Sequence, residues 1–232
     1  MRERVVEMQH ISEVEVKKPI QTASRTTTGS KRAKPPKRDF MRERLGMSGT
    51  AIDKTFETFD STWQPKAYEA AASFLTNPRS LVFLGPNGIG KTHLAQAIGN
   101  ALLEQKGSIN APVLFIKFDD ALRQIRATFE EQHEGHGEWF YIERWTQIPV
   151  LVLDEVGQAG RAKPAGDGEF TRRIGYDIVD GRYRNGLPMI VTTNKTPNEL
   201  CDWITRSGVD RLFEMGRFVK MEGKSWRQSG RR

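Results

Sequence analysis

The chain has one cysteine, Cys201, so it can close no disulfide within itself and build no cysteine-rich zinc site. It also lacks any apolar run long enough to span a bilayer. Its opening, MRERVVEMQHISEVEV, alternates charge and has no apolar segment of the kind a secretion signal needs. Neither export nor membrane insertion is expected, and a reducing cytoplasm fits. Acidic side chains are in deficit: 29 Asp and Glu face 36 Lys and Arg, a formal net charge of +7. That balance favours a polyanionic partner, DNA first, although a basic surface can also serve solubility alone.

Large apolar side chains are scarce over residues 1–50. SRTTTGSKRAKPPKR, from Ser24 to Arg38, reads as a flexible, basic, proline-broken arm that cannot pack a core. Before it, Val5, Val6, Met8, Ile11, Val14 and Val16 are only weakly periodic and leave open a leader or a short docking element. Residues 51–232 are long enough for one α/β core and too short for two large domains. Pro65 near a first turn and an alanine-rich face through Phe74 predict the first helix of that domain, which Asn77 and Pro78 end.

The centre of the chain is LVFLGPNGIGKTHL, Leu81 to Leu94. Four apolar residues predict a buried strand that runs into Gly85, Gly90, Lys91 and Thr92, the spacing of a phosphate-binding loop opening a helix. Gly88 and Gly90 allow backbone N–H groups to turn inward, and the helix adds the partial positive charge of its N-terminus. Lys91 would reach the β- and γ-phosphates of a nucleotide such as ATP, and the Thr92 hydroxyl would hold Mg²⁺.

Further strands are expected at Pro112–Ile116, Val150–Leu153, Met189–Thr192 and Phe218–Met221. Helices are expected between them, at Lys91–Leu103, Asp119–Phe129, Phe170–Tyr183 and Pro197–Ile204, the last capped by Thr196. Strands separated by helices predict a mainly parallel sheet covered on both faces. Asp119–Phe129 is amphipathic, with Leu122, Ile125 and Phe129 on one side and Arg123 and Arg126 displayed. His133 and His136, with Glu134 and Glu138 nearby, superficially suggest a metal, but Gly135 and Gly137 argue for a mobile loop. Trp139, Phe140, Tyr141 and Trp145 read as helix core before a base-stacking platform.

Asp154 and Glu155 follow the apolar run VLVL, at the strand end where doubly wound sheets place ligands. Asp154 fits Mg²⁺ coordination, and Glu155 fits activation of the attacking water. Asn194, at the end of MIVTTN, would hold that water or the γ-phosphate, or else cap the next segment. Arg211, in GVDRLFE, follows a helix and would face a neighbouring subunit as an arginine finger. Arg227, in KSWR, could fold back on the phosphates of its own chain.

Taken together, GPNGIGKTHLAQAIG, LVLDEVG, IVTTN, VDRLFE and SWR, with TFETFD ahead of the first helix, resemble the AAA+ ATPases of the DnaC/DnaI helicase-loader and IstB transposition-helper group. The resemblance covers about Thr55 to Arg227. It implies a P-loop core with a parallel five-stranded sheet in order 5-1-4-3-2, helices on both faces and no C-terminal lid. ATP and Mg²⁺ are the implied ligands, and an open spiral of copies on DNA the implied assembly. By that resemblance Gly85, Pro86, Asn87, Gly88, Ile89, Gly90, Lys91 and Thr92 are the Walker A loop, Asp154 and Glu155 Walker B, Asn194 sensor 1, Arg211 the arginine finger and Arg227 sensor 2. An inserted element lining the DNA channel would fall within Asp119 to Trp145.

The expected function is an ATP-dependent loader that binds single-stranded DNA and delivers a replicative helicase. The alternative is a transposition helper that oligomerises on duplex DNA and recruits a transposase. A nucleotide-switched binding protein and a small-molecule kinase are weaker readings, the kinase because no arginine-rich lid is apparent.

Overall fold

The computed structural model describes residues 53–106, 113–129, 136–158 and 167–226. In chain order these carry α1 (Pro65–Ser73), β1 (Ser80–Leu84), α2 (Lys91–Lys106), β2 (Val113–Lys117), α3 (Phe118–Ala127), α4 (Glu138–Gln147), β3 (Val150–Val156), α5 (Asp167–Arg184), β4 (Met189–Thr193), α6 (Pro197–Ile204), α7 (Arg206–Met215) and β5 (Gly216–Lys220). The five strands form one parallel sheet in the order β2-β3-β4-β1-β5, which is the expected 5-1-4-3-2 read from the other edge.

Both faces of the sheet are covered, and β1 is accordingly apolar and buried along its length. Successive side chains leave a strand on opposite sides. Leu81 and Phe83 therefore pack with Ala67, Ala71, Leu94 and Ile98 of α1 and α2. Val82 and Leu84 pack with Leu122, Trp145, Ile174, Leu200 and Val209 of α3 to α7. Each such side chain contributes roughly 1.5–3 kcal/mol by burial, so this one strand supplies a gross term comparable to a domain's net stability.

Helix starts and strand entries are fixed by specific side chains. At α6 the Thr196 hydroxyl accepts from the Glu199 N–H at 3.3 Å, while the Glu199 carboxylate accepts from the Thr196 N–H at 2.8 Å, a capping box with Pro197 in the first turn. At the amino-terminal edge of the strands Arg182 is fully buried. Its guanidinium donates to the carbonyls of Trp145 at 3.1 Å and Pro149 at 3.0 Å, and to those of Ile148 and Pro188. One side chain thus ties the end of α4 to the entries of β3 and β4. Burial pushes its pKa down to about 10, which leaves it cationic at neutral pH.

Three expectations are corrected. Phe129 lies beyond α3 and is 60% exposed, so the apolar side of that helix ends at Ile125. Asp154 and Glu155 lie within β3, which runs on to Val156 because Asp154 pairs with Lys117 of β2 and Val156 with Thr193 of β4, past a register shift between Leu153 and Val156. Arg211 sits inside a helix of its own, α7, started by Thr205, whose hydroxyl accepts from Gly208 N–H at 3.1 Å. Of the aromatics after Gly137, Trp145 is core and Trp139 is 72% exposed. The basic arm, His133, Glu134 and Arg227 lie outside the described residues. Among the described residues no helix is long and apolar enough to cross a membrane.

Candidate nucleotide site

β1 delivers the loop 85–90 to the carboxyl edge of the sheet, and α2 begins directly after it. Gly85, Gly88 and Gly90 have φ of 151°, 77° and 105°, values that disfavour a side chain. Space demands glycine too: a Cβ on Gly85 would lie 2.2 Å from Met221 O, and one on Gly88 2.1 Å from the Ser225 hydroxyl. The Lys91 ammonium turns back into the loop, donating to Gly85 O at 2.7 Å and Pro86 O at 2.8 Å. Burial lowers its pKa, while Asp154 and Glu155 act the other way.

Thr92 Oγ1 donates to Asp154 Oδ1 at 2.9 Å, and Thr192 Oγ1 donates to the same oxygen at 2.5 Å. Asp154 is fully buried, and its Oδ2 has no hydrogen-bond partner among the described residues. Burial raises its pKa against the two hydroxyl donors. Glu155 diverges from it. With φ of 60° and its N–H donating to Thr192 Oγ1 at 2.9 Å, it swings its carboxylate to within 3.1 Å of Lys117 Nζ. In the amide orientation that matches donors to acceptors, Gln158 donates to both Glu155 oxygens at 3.2 and 2.8 Å.

Because β4 lies between β3 and β1, Asn194 at its end reaches the same place, and its buried Oδ1 also has no partner among the described residues. Lys91, Thr92, Glu155 and Asn194 border one cavity of about 320 Å³. The orphaned carboxylate oxygen beside a threonine hydroxyl suits a divalent cation, and the inward-turned loop with its lysine suits phosphate. The residues present therefore fit a magnesium–nucleotide pair.

The opposite wall is aromatic. Trp63 and Trp226 meet edge to face at 5.4 Å, and Phe59 lies 5.2 Å from the His93 ring, also edge to face. Trp226 N–H donates to Gly88 O at 2.9 Å, and Gln64 donates to Glu222 O at 2.7 Å, so residues 222–226 form a strap across the loop. His93 Nε2 lies 3.1 Å from Thr55 O and 3.2 Å from Thr58 Oγ1. Burial lowers its pKa.

Arg211 is the predicted residue that this geometry leaves apart. It does not line the cavity and instead packs on α5. Sequence reasoning missed Lys117, Gln158, Thr192 and the role of Phe59, Trp63 and Trp226 as a wall. The stretches TFETFD and SWR pointed at that wall, but nothing in them says that they meet.

The model of the family described as IstB-like ATP binding protein matches residues 31–232. An insertion-sequence protein of Mycobacterium tuberculosis named for ATP binding is 28% identical over 198 residues, 79% of this chain and 72% of its own length. Three further relatives named for ATP binding also come from insertion sequences, those of Bacillus thuringiensis, Geobacillus stearothermophilus and Pseudomonas aeruginosa. The replicative helicase loader DnaC of Escherichia coli is 30% identical over 147 residues, 63% of this chain and 55% of that protein. The crystal structure of the DnaC helicase loader superposes with a TM-score of 0.62 at 23% identity, covering 75% of this chain and 100% of that one, which shows the shared fold.

Proposed function

Since the chain belongs to the IstB-like ATP binding protein family and is a P-loop AAA+ ATPase, we propose that it is the ATPase helper of a DNA transposition system. In this reading copies assemble on duplex DNA and recruit a transposase. Kinship carries the choice: the family match spans 31–232, and four relatives come from insertion sequences. The sequence alone had favoured helicase loading. That second reading keeps one support, the 30% identity to the DnaC loader.

The proposed chemistry uses this chain's own groups. Lys91 leaves Gly85 O and Pro86 O to meet the phosphates, and the loop N–H groups hold the rest of their charge. Thr92 and Asp154 would hold Mg²⁺, which when bound would screen phosphate charge and polarise the γ-phosphoryl group. Glu155 accepts a proton from water as the water oxygen bonds to the γ-phosphorus and the bond from that phosphorus to the departing ADP breaks. The Asn194 amide orients that water, and Arg211 reaches the site from a neighbouring copy. Arg227 follows Trp226 and is proposed to approach the phosphates of its own chain. The arm over residues 1–50, preceding a domain over 51–232, would add phosphate contacts on DNA.

Full-length protein should assemble and turn over ATP faster with duplex DNA than with single strands of equal length, and Lys91→Ala should abolish both effects. Stimulation by single strands alone, with copurification of a helicase ring, would replace this reading by the loader reading.

A further inference from the structure

Tyr176, Asp180 and Tyr183 stand at i, i+4 and i+7 on α5, one face of the helix, and that face receives Arg211 from α7. The Arg211 guanidinium carbon lies 4.9 Å from the centroid of the Tyr176 ring and 5.4 Å from that of Tyr183. Its Nη1 is buried and forms an ion pair with Asp180. The side chain as a whole is 27% exposed, so the exposure belongs to its other atoms. Two further contacts brace this arrangement: Arg184 Nε meets the second oxygen of Asp180 at 3.0 Å, and Tyr183 OH donates to Glu214 at 2.7 Å.

A guanidinium has five N–H donors in a rigid plane. Held at one end by a carboxylate and packed over two aromatic rings, it keeps its remaining donors in one fixed direction. Without these contacts a long arginine at a subunit boundary would have to be ordered at the moment of reaction. Ordering it beforehand is a recognised source of rate.

We propose that Asp180 is a positioning residue for Arg211, aiming its free donors at the nucleotide of a neighbouring copy. The inference rests on the reading of Arg211 as a residue that acts between copies. Arg184 keeps the Asp180 charge compensated when Arg211 strengthens its bond to phosphate. The two tyrosines set the plane, and Asp180 sets its rotation.

The test is steady-state ATP turnover by full-length protein assembled on duplex DNA. Asp180→Asn should lower kcat on the order of 100-fold, with KM for ATP and melting temperature close to wild type. Tyr176→Leu, which removes one wall, should lower kcat in the same sense and covers the case in which Asp180→Asn folds poorly. Asp180→Glu should recover part of the loss. An Asp180→Asn, Arg211→Ala double variant should be no slower than Arg211→Ala alone. Mixed with Glu155→Gln protein, Asp180→Asn should regain turnover, because Asp180 serves the partner's nucleotide and Glu155 its own. Wild-type turnover by Asp180→Asn beside an inactive Arg211→Ala would overturn this inference and leave the role of Arg211 standing. Failure of the mixture to recover, with both proteins coassembling, would also overturn it. Wild-type turnover by Arg211→Ala would overturn the underlying reading instead.

Discussion

Lys117, at the end of β2, holds Glu155 on β3 through an ion pair of 3.1 Å. The carboxylate proposed to activate water is thus tied sideways to a neighbouring strand. The ion pair also raises the pKa of Lys117.

Lys117→Gln should therefore raise ATP turnover in the absence of DNA. The pair is half-exposed, and such pairs contribute about 1 kcal/mol or less, so a gain above about fivefold is not expected. Added salt should produce part of the same gain in wild type and none in the variant. Equal basal rates for the two proteins would mean that the pair does not restrain Glu155.

Asp154 carries an opposite lesson about stability. Burial raises its pKa above the ordinary carboxylate value, so the folded state holds the proton more tightly than the unfolded chain does. Ionisation consequently weakens the fold as pH rises through that window, and the penalty is present at neutral pH. Asp154→Asn keeps an acceptor for Thr92 and Thr192 and removes the buried charge. It should melt a few degrees higher than wild type without ligand, yet gain nothing from Mg²⁺ and ATP. A lower melting temperature at pH 7 would contradict this account.

His93 gives a second pH dependence. Its pKa is lowered by burial, so the neutral ring is favoured in the fold and the unfolded chain takes up the proton first. The stability this provides is complete above the unperturbed value of about 6.5 and is lost as pH falls through the lower folded value. As pH falls below about 6.5, melting temperature should drop more steeply in wild type than in His93→Gln. Parallel curves would show that protonation of His93 is not felt by segment 55–59.

Arg182→Met should be among the most damaging substitutions far from the cavity. It fills the same space but leaves four backbone carbonyls without their donor. An unpaired buried polar group costs roughly 1–3 kcal/mol, and several together should remove 3 kcal/mol or more. Chemical denaturation reads this directly as a lower midpoint. An unchanged midpoint would mean that water replaces the guanidinium without penalty.

Much of the site was legible because its parts are local in sequence. The loop glycines, Lys91 and Thr92 belong to one turn, and Asp154 and Glu155 to one strand, so residue type and spacing suffice. What escaped was whatever depends on two strands lying side by side. Lys117 meets Glu155 only because β2 pairs with β3 in a register that sets Lys117 opposite Asp154. The left-handed backbone at Glu155 arises from a bulge that the run VLVLDEVG does not announce. Arg211 stands out in GVDRLFE as an arginine, but the stretch does not announce a helix, since Gly208 and the short length weaken its periodic signal.

The placement of β1 also governs when the molecule can become complete. Its two partners in the sheet, β4 and β5, come more than 100 residues later, at Met189–Thr193 and Gly216–Lys220. While the chain emerges from the ribosome, β2 and β3 can pair early, but the strand that carries the phosphate loop stands without neighbours until nearly the whole domain has been made. Such late, long-range closure slows folding and leaves an apolar strand open to wrong pairing in the meantime. A nascent chain that ends before β5 would have every loop glycine in place and still no finished seat for a nucleotide.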